Sequence, residues 1–392
     1  MTALATEPTT ETRARPPHTG CVLTADASYA ARLARHGASP DAWFPERWTL
    51  DGPEPYAVPL PGPQPEEPGT AVLPLTDGRV LIQRTAAGHH MFSLLYPTGP
   101  GTGEVPLGAV ECEELTLLPP APDGRCAYAL AVGEKSTAVW QVAGAGFGPE
   151  LLAEVPGHCS GGVWLSREAR LLALDRAPPH ADGGDGTDDG DSGGPVKTVV
   201  VDLDRDGEVS PLLQIADDSE DRLLLADLDS GLILLRSDAP TPGELRLGWG
   251  VLGSTLPIRF PESLRLTDCE LTPFAVQPGQ SLMPEGCAVA LHVASAEGGS
   301  PWLGLWRPAE GRMHQVAAPG GWLAGSGFFS RDGVLSLPYV TEDVPCGLAR
   351  VPAPEPGTER REPKEGSTPP EPTATRPVPL AQAPLGGRTT DR

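Results

Sequence analysis

Two groups of residues with the right types and spacing for chemistry lie within residues 188–207, DDGDSGGPVKTVVVDLDRDG. In the first, Gly190-Asp191-Ser192-Gly193-Gly194-Pro195, glycines flank a serine. Such flanks let a nucleophile sit on a sharp turn whose backbone N–H groups hold an oxyanion. The serine would also need a histidine base and a carboxylate to orient that base. Upstream, Thr85-Ala86-Ala87-Gly88-His89 offers a histidine among small residues. In the second group Asp202, Asp204 and Asp206 precede Gly207, placing hard oxygen ligands at alternate positions before a tight turn, as calcium requires.

The first group resembles the nucleophile motif of chymotrypsin-family serine proteases, with Ser192 in the nucleophile's place. It departs from that family at three points. Asp188 stands where the family has a cysteine, and VSPLLQIAD stands where a Ser-Trp-Gly segment belongs. About 200 residues follow Ser192, whereas the family's catalytic domain ends soon after its nucleophile. The surrounding tract, HADGGDGTDDGDSGGP, yields the hexapeptide by composition alone. The expectation is therefore an acidic Gly/Asp-rich insertion over 178–196, with no catalytic residue assigned. The second group resembles the opening of an EF-hand loop, but its twelfth position is Leu213 where a bidentate Glu belongs, and its ninth is Ser210. Two strands reversing at Arg205-Asp206-Gly207 account for the same residues. No metal or cofactor is expected, and Asp202, Asp204 and Asp206 are the only carboxylates placed for weak calcium binding.

Other candidates read more plainly as structure. His89-His90 lacks a further His or Cys at ligand spacing and reads as a solvated loop. His158-Cys159-Ser160-Gly161-Gly162 reads as a turn before a strand, and Trp140, Trp164, Trp302 and Trp306 read as packing between sheets. The chain contains no P-loop, dinucleotide fingerprint, HExxH or G-x-S-x-G.

The elements that carry these residues follow from composition and repetition. The chain has 392 residues with 47 Gly and 47 Pro, which calls for many turns, while eight Trp spread from Trp43 to Trp322 imply order over most of its length. A formal charge of −23 disfavours nucleic acid and anionic membranes as partners. Seven singly spaced Cys, a polar N-terminus and the lack of a long apolar run lead us to expect a cytoplasmic protein. Residues 1–20 and 352–392 read as disordered tails. Residues 21–69 read as a short helix over Asp26–His36 followed by a Pro-rich connector, with a candidate closing strand at Pro55–Pro61.

Between 70 and 351, short β-runs echo one another. LPLTDGRVLIQRT (73–85), LPPAPDGRCAYALA (118–131) and FFSRDGVLSLPYV (328–340) each place an apolar stub before Asp-Gly and a strand after it. Asp77 and Asp123 are 46 residues apart, as are Gly286 and Asp332. A second hairpin follows most echoes, for example TAVWQVAGAGFGPELLAEV (137–155). Two hairpins make a four-stranded sheet, and sheets recurring at roughly 40 to 50 residues are the mark of a β-propeller. The expected fold is all-β, a propeller of six or seven four-stranded blades.

At Pro122-Asp123-Gly124-Arg125 with Trp140, at Asp202–Val209 and at Trp306–Met313, the chain resembles the propeller blades of prolyl oligopeptidases. In that family a triad-bearing α/β-hydrolase domain accompanies the propeller, and only about 40 residues follow the last blade here. The resemblance thus implies the scaffold without the activity. The expected function is a non-catalytic scaffold or binding protein with a protein or peptide partner. The alternatives are a remnant or partner of a prolyl-oligopeptidase-like enzyme, and a serine protease using Ser192.

Overall fold

The computed structural model describes residues 20–35, 42–144, 146–178, 194–279, 283–295 and 299–354. The repeats fold because their middle strands carry apolar residues on both faces. Ala127–Val132 is buried at five of its six positions and Val80–Ala86 at its first four. A strand buried on both sides must be sandwiched between neighbouring sheets, so one blade alone is not a stable unit.

Hydrogen bonding joins the strands into six sheets, one of which has seven strands and contains two blades linked by a single parallel bridge, Lys197↔Asp221. The described residues therefore form seven blades: 22–59, 71–111, 114–156, 158–211, 221–251, 269–316 and 328–352. Blades 1 to 4 and blade 6 are four-stranded antiparallel sheets, and blades 5 and 7 have three strands. In blade 5 the isolated bridge Trp249↔Arg259 occupies the outer position. Seven apolar clusters form the core, one at each seam between consecutive blades. Among the described residues no helix is long and apolar enough to cross a membrane.

The Asp-Gly turns behave as their chemistry predicts. At Asp123-Gly124 the aspartate Oδ1 accepts the Arg125 N–H, and Gly124 adopts φ +68°. A Cβ on Gly124 would run into the side chain of Thr76, which donates both its backbone N–H and its Oγ1 to the Gly124 carbonyl across the seam between blades 2 and 3. Gly124→Ala is expected to cost about 2 kcal/mol or more, by adding left-handed strain to a steric overlap. Urea denaturation of the two proteins measures this, and equal midpoints would contradict it.

Two expectations for residues 21–69 need correction. The segment expected to be a helix forms the strand Tyr29–Arg35, paired antiparallel with Trp43–Thr49. Its apolar residues Ala30, Ala31, Leu33 and Ala34 fill both faces of a two-sided strand, a pattern that also satisfies helical spacing. Asp26, at the start of the expected helix, instead makes an Asx turn, its Oδ1 accepting from the Ser28 N–H. The candidate closing strand, Tyr56–Pro59, pairs with Glu46–Thr49 as the outer strand of blade 1 and leaves the last blade uncompleted. The propeller thus begins at Val22 instead of 70.

Among the described residues the first and last blades meet without exchanging a strand. Cys21, Ala30, Trp48 and Leu50 of the first blade pack against Leu323, Phe328, Val340 and Cys346 beside the last. Ser326 clasps the chain start: its Oγ donates to the Cys21 carbonyl at 2.6 Å and accepts the Cys21 N–H at 3.3 Å.

Candidate functional site: the central channel

The innermost strands of the seven blades surround a channel of about 1850 Å³. Leu73, Leu117, Val163, Leu224, Val276 and Phe328 give it an apolar wall. Because every inner strand is entered from an inter-blade connection, the first hairpin turns all gather at one end. That end carries Asp26, Arg167, Asp227, Asp229 and the exposed Arg331. Arg167 of blade 4 pairs with Asp229 of blade 5. Asp227 Oδ2 accepts from the Ser230 N–H at 2.8 Å and the Gly279 N–H at 3.2 Å, tying blade 5 to blade 6. Burial opposes ionisation of Asp26, but hydrogen bonds from Ser28 and Thr24 outweigh it and hold the carboxyl below its ordinary range. The opposite end carries Glu67, Thr85 and His90.

Ser192 lies outside the described residues; its insertion joins the second and third strands of blade 4, Leu171–Ala177 and Lys197–Asp202. His89, the histidine paired with it in the protease comparison, is an exposed strand residue of blade 2. Asp202, Asp204 and Asp206 occupy the hairpin between the last two strands of blade 4, with Asp206 at φ +51° and Gly207 at φ +76°. The Asp202 and Asp204 carboxylates face cations of the chain itself: Arg170 stands 3.6 Å from Asp202 and 4.0 Å from Asp204, and Arg205 stands 3.7 Å from Asp202. Among the described residues no three His, Cys, Asp or Glu side chains converge as a metal site.

His158–Trp164 is an inner strand of blade 4, not a turn, and burial pushes the Cys159 thiol up, away from nucleophilic use. The tryptophans pack between blades as expected: Trp164 lies 4.9 Å from Tyr128 and donates Nε1–H to the Pro119 carbonyl, and Trp306 lies 6.2 Å from Trp249. His89-His90 belongs to the strand His89–Pro97 and is not a solvated loop; alternation leaves His89 exposed and buries His90.

Sequence reasoning missed a buried polar network between blades 4 and 5. Asp221, fully buried, accepts from Lys197 Nζ at 2.7 Å, Ser237 Oγ at 2.6 Å and the Ile215 N–H at 3.0 Å. Beside it, Thr198 Oγ1 donates to Asp175 Oδ1 at 2.7 Å, and the Leu223 N–H reaches the same oxygen at 3.2 Å. The local sequence, IADDSEDR, reads as a solvated turn and gives no sign of this.

Burial raises the Asp175 pKa against the hydrogen bonds from Thr198 and Leu223. The folded state therefore holds this proton to higher pH than the unfolded chain does. Its contribution to stability is greatest below the ordinary carboxylate range and declines as pH rises through the folded value. Asp175→Asn keeps the one oxygen that both donors use. Relative to the parent, its melting temperature is expected to rise between pH 4 and pH 7; a constant difference would contradict the assignment.

No protein-family model matches the sequence, and no curated protein matches it. Solved structures do. Prolyl oligopeptidase B from Galerina marginata, bound to a 35mer hydrolysis and macrocyclization substrate, is 12% identical with a TM-score of 0.50, over 88% of this chain and 50% of that one. A structure from a study of two prolyl endopeptidases is 12% identical with a TM-score of 0.49, over 86% of this chain and 48% of that one. The β-propeller domain of the Trilobed protease from Pyrococcus furiosus, described as having an open velcro topology, is 12% identical with a TM-score of 0.48, over 84% of this chain and 93% of that one. The chain thus spans about half the length of the two prolyl peptidase structures. In fold, the chain is a β-propeller similar to the propeller domains of prolyl oligopeptidases.

Proposed function

We propose that this propeller is a non-catalytic binding protein that takes an extended peptide, or an extended segment of a protein, into its central channel. The observation that carries the reading is the channel itself, with its apolar wall and its charged mouth of Asp26, Arg167, Asp227, Asp229 and Arg331. Fluorescence anisotropy with a labelled, end-blocked random heptapeptide library tests it. Members of the library are expected to bind, and Leu224→Trp, which fills the channel wall, is expected to weaken them at least about tenfold, the loss of one well-made apolar contact. Equal binding to a folded Leu224→Trp protein, or no binding across the library, would overturn the reading. A serine-reactive fluorophosphonate probe is expected to leave the protein unlabelled; labelling that disappears in Ser192→Ala would restore the protease alternative.

A further inference from the structure

Five carboxylates line the channel, on Asp26, Asp51, Glu67, Asp227 and Asp229. Two guanidiniums, of Arg167 and Arg331, also border it, and no lysine does. The Arg167–Asp229 pair cancels its own charge. Asp26, Asp51, Glu67 and Asp227 form no ion pair among the described residues, so their charge is unmatched by the chain except for the single exposed Arg331. These carboxylates are spread over the channel. Asp26 and Asp51 belong to blade 1 at the charged mouth, where Asp51 follows Thr49, the partner of Tyr29. Asp227 stands at the same mouth on blade 5, and Glu67 precedes the first strand of blade 2 at the other end. Against the opposing effect of burial, hydrogen bonds from Ser28 and Thr24 keep Asp26 ionised into acidic solution. The excess negative charge therefore acts along the whole path of a bound chain.

The apolar wall sharpens this effect. A cleft lined by one sign of charge between low-dielectric walls focuses its field on whatever enters, and charges inside it are screened less than charges on an open surface. Leu73, Leu117, Leu224 and Val276 supply such walls here. A guest bearing glutamate or aspartate would enter against the field, and one bearing lysine or arginine would enter down it. We infer that the channel selects extended chains that carry cationic side chains, with Asp26, Asp51, Glu67 and Asp227 as the selecting residues. Because these carboxylates stand on three sides of the ring and at both ends of the channel, they suit several cations spaced along a chain better than one terminal ammonium. This inference rests on the channel-binding reading and names the class of guest.

Isothermal titration calorimetry on the whole protein tests it with three end-blocked peptides of one framework, acetyl-Gly-Leu-Xaa-Leu-Xaa-Leu-Gly-amide, in which Xaa is lysine, glutamine or glutamate. Affinity is expected to fall in that order, by about tenfold or more from lysine to glutamate. The preference is expected to shrink as salt is raised from about 0.01 M to about 1 M. The triple variant Asp26→Asn, Asp51→Asn, Glu67→Gln balances the charge of the lining and is expected to reduce the lysine-to-glutamate ratio to about threefold or less. The triple variant Glu111→Gln, Glu113→Gln, Glu150→Gln removes as much charge at exposed positions outside the lining and is expected to keep the ratio. Equal binding of the lysine and glutamate peptides, both blocked by Leu224→Trp, would overturn the inference while sparing the channel. A ratio that survives the first triple variant, or falls equally in both, would assign the preference to the general surface charge and overturn it as well. If the glutamine peptide with a free N-terminus bound as tightly as the blocked lysine peptide, the recognised cation would be a terminal ammonium and the side-chain assignment would fall. Binding of none of the peptides would overturn both the inference and the channel reading.

Discussion

Replacing Trp48 by alanine is expected to destabilise the protein by about 3 to 5 kcal/mol, the range for emptying a large aromatic from a packed interior. Trp48 is fully buried in the cluster between blades 1 and 7, and its Nε1–H donates to Glu46. The effect should be local as well as large. Among the described residues no strand crosses this seam; side-chain packing and the Cys21–Ser326 clasp join its two sides. Hydrogen exchange in Trp48→Ala is therefore expected to rise first in Tyr29–Arg35 and Val334–Tyr339, ahead of the blades opposite. Chemical denaturation gives the magnitude. A loss near 1 kcal/mol, or exchange that rises evenly around the ring, would mean that the seam is closed by something other than these contacts.

Asp221→Ala is expected to be comparably damaging, by about 3 to 5 kcal/mol, because it strands a partly buried lysine beside donors that lose their acceptor. Lys197 is 17% exposed, and Ser237 Oγ and the Ile215 N–H both point at the lost carboxylate. Asp221→Asn should cost less, since its amide oxygen still accepts from Ser237. Lys197→Met should also cost less than Asp221→Ala, because the carboxylate keeps its serine and backbone donors. Thermal denaturation of the three variants checks this ranking. If Lys197→Met proved the most damaging, the ion pair and not the hydrogen-bonded carboxylate would be the centre of the network.

The parts of the fold that were legible in the sequence are those where local chemistry and tertiary structure agree. Asp77-Gly78, Asp123-Gly124 and Asp332-Gly333 need positive φ at glycine and mark the first turn of blades 2, 3 and 7. Blade 1 was misread because Tyr29, Leu33 and His36 recur at helical spacing, while the residues that the strand buries, Ala30, Ala31, Leu33 and Ala34, form no alternation that would mark a strand, and only the partner strand decides between the two. Ring closure was illegible for a similar reason, since nothing in Tyr56–Pro59 says which neighbour it pairs with. The Asp-rich hairpin at 202–207 was read correctly as a strand reversal, whereas IADDSEDR hid a fully buried carboxylate, because burial is conferred by blades distant in sequence. Likewise, two adjacent histidines look alike until strand alternation exposes His89 and buries His90. The motif at Ser192 falls outside the described residues, and its reading rests on the sequence alone.

The central claim is that an extended peptide sits in the channel, and photo-cross-linking locates it directly. An end-blocked heptapeptide from the binding pool, carrying benzophenone-alanine at its centre, is irradiated with the protein and the adducts are mapped by mass spectrometry. The account predicts adducts on the inner strands, at Leu117, Leu224 and Val276 among the wall residues. Adducts confined to outer strands such as Thr102–Glu111 or Glu150–Pro156 would place the peptide on the rim and contradict it.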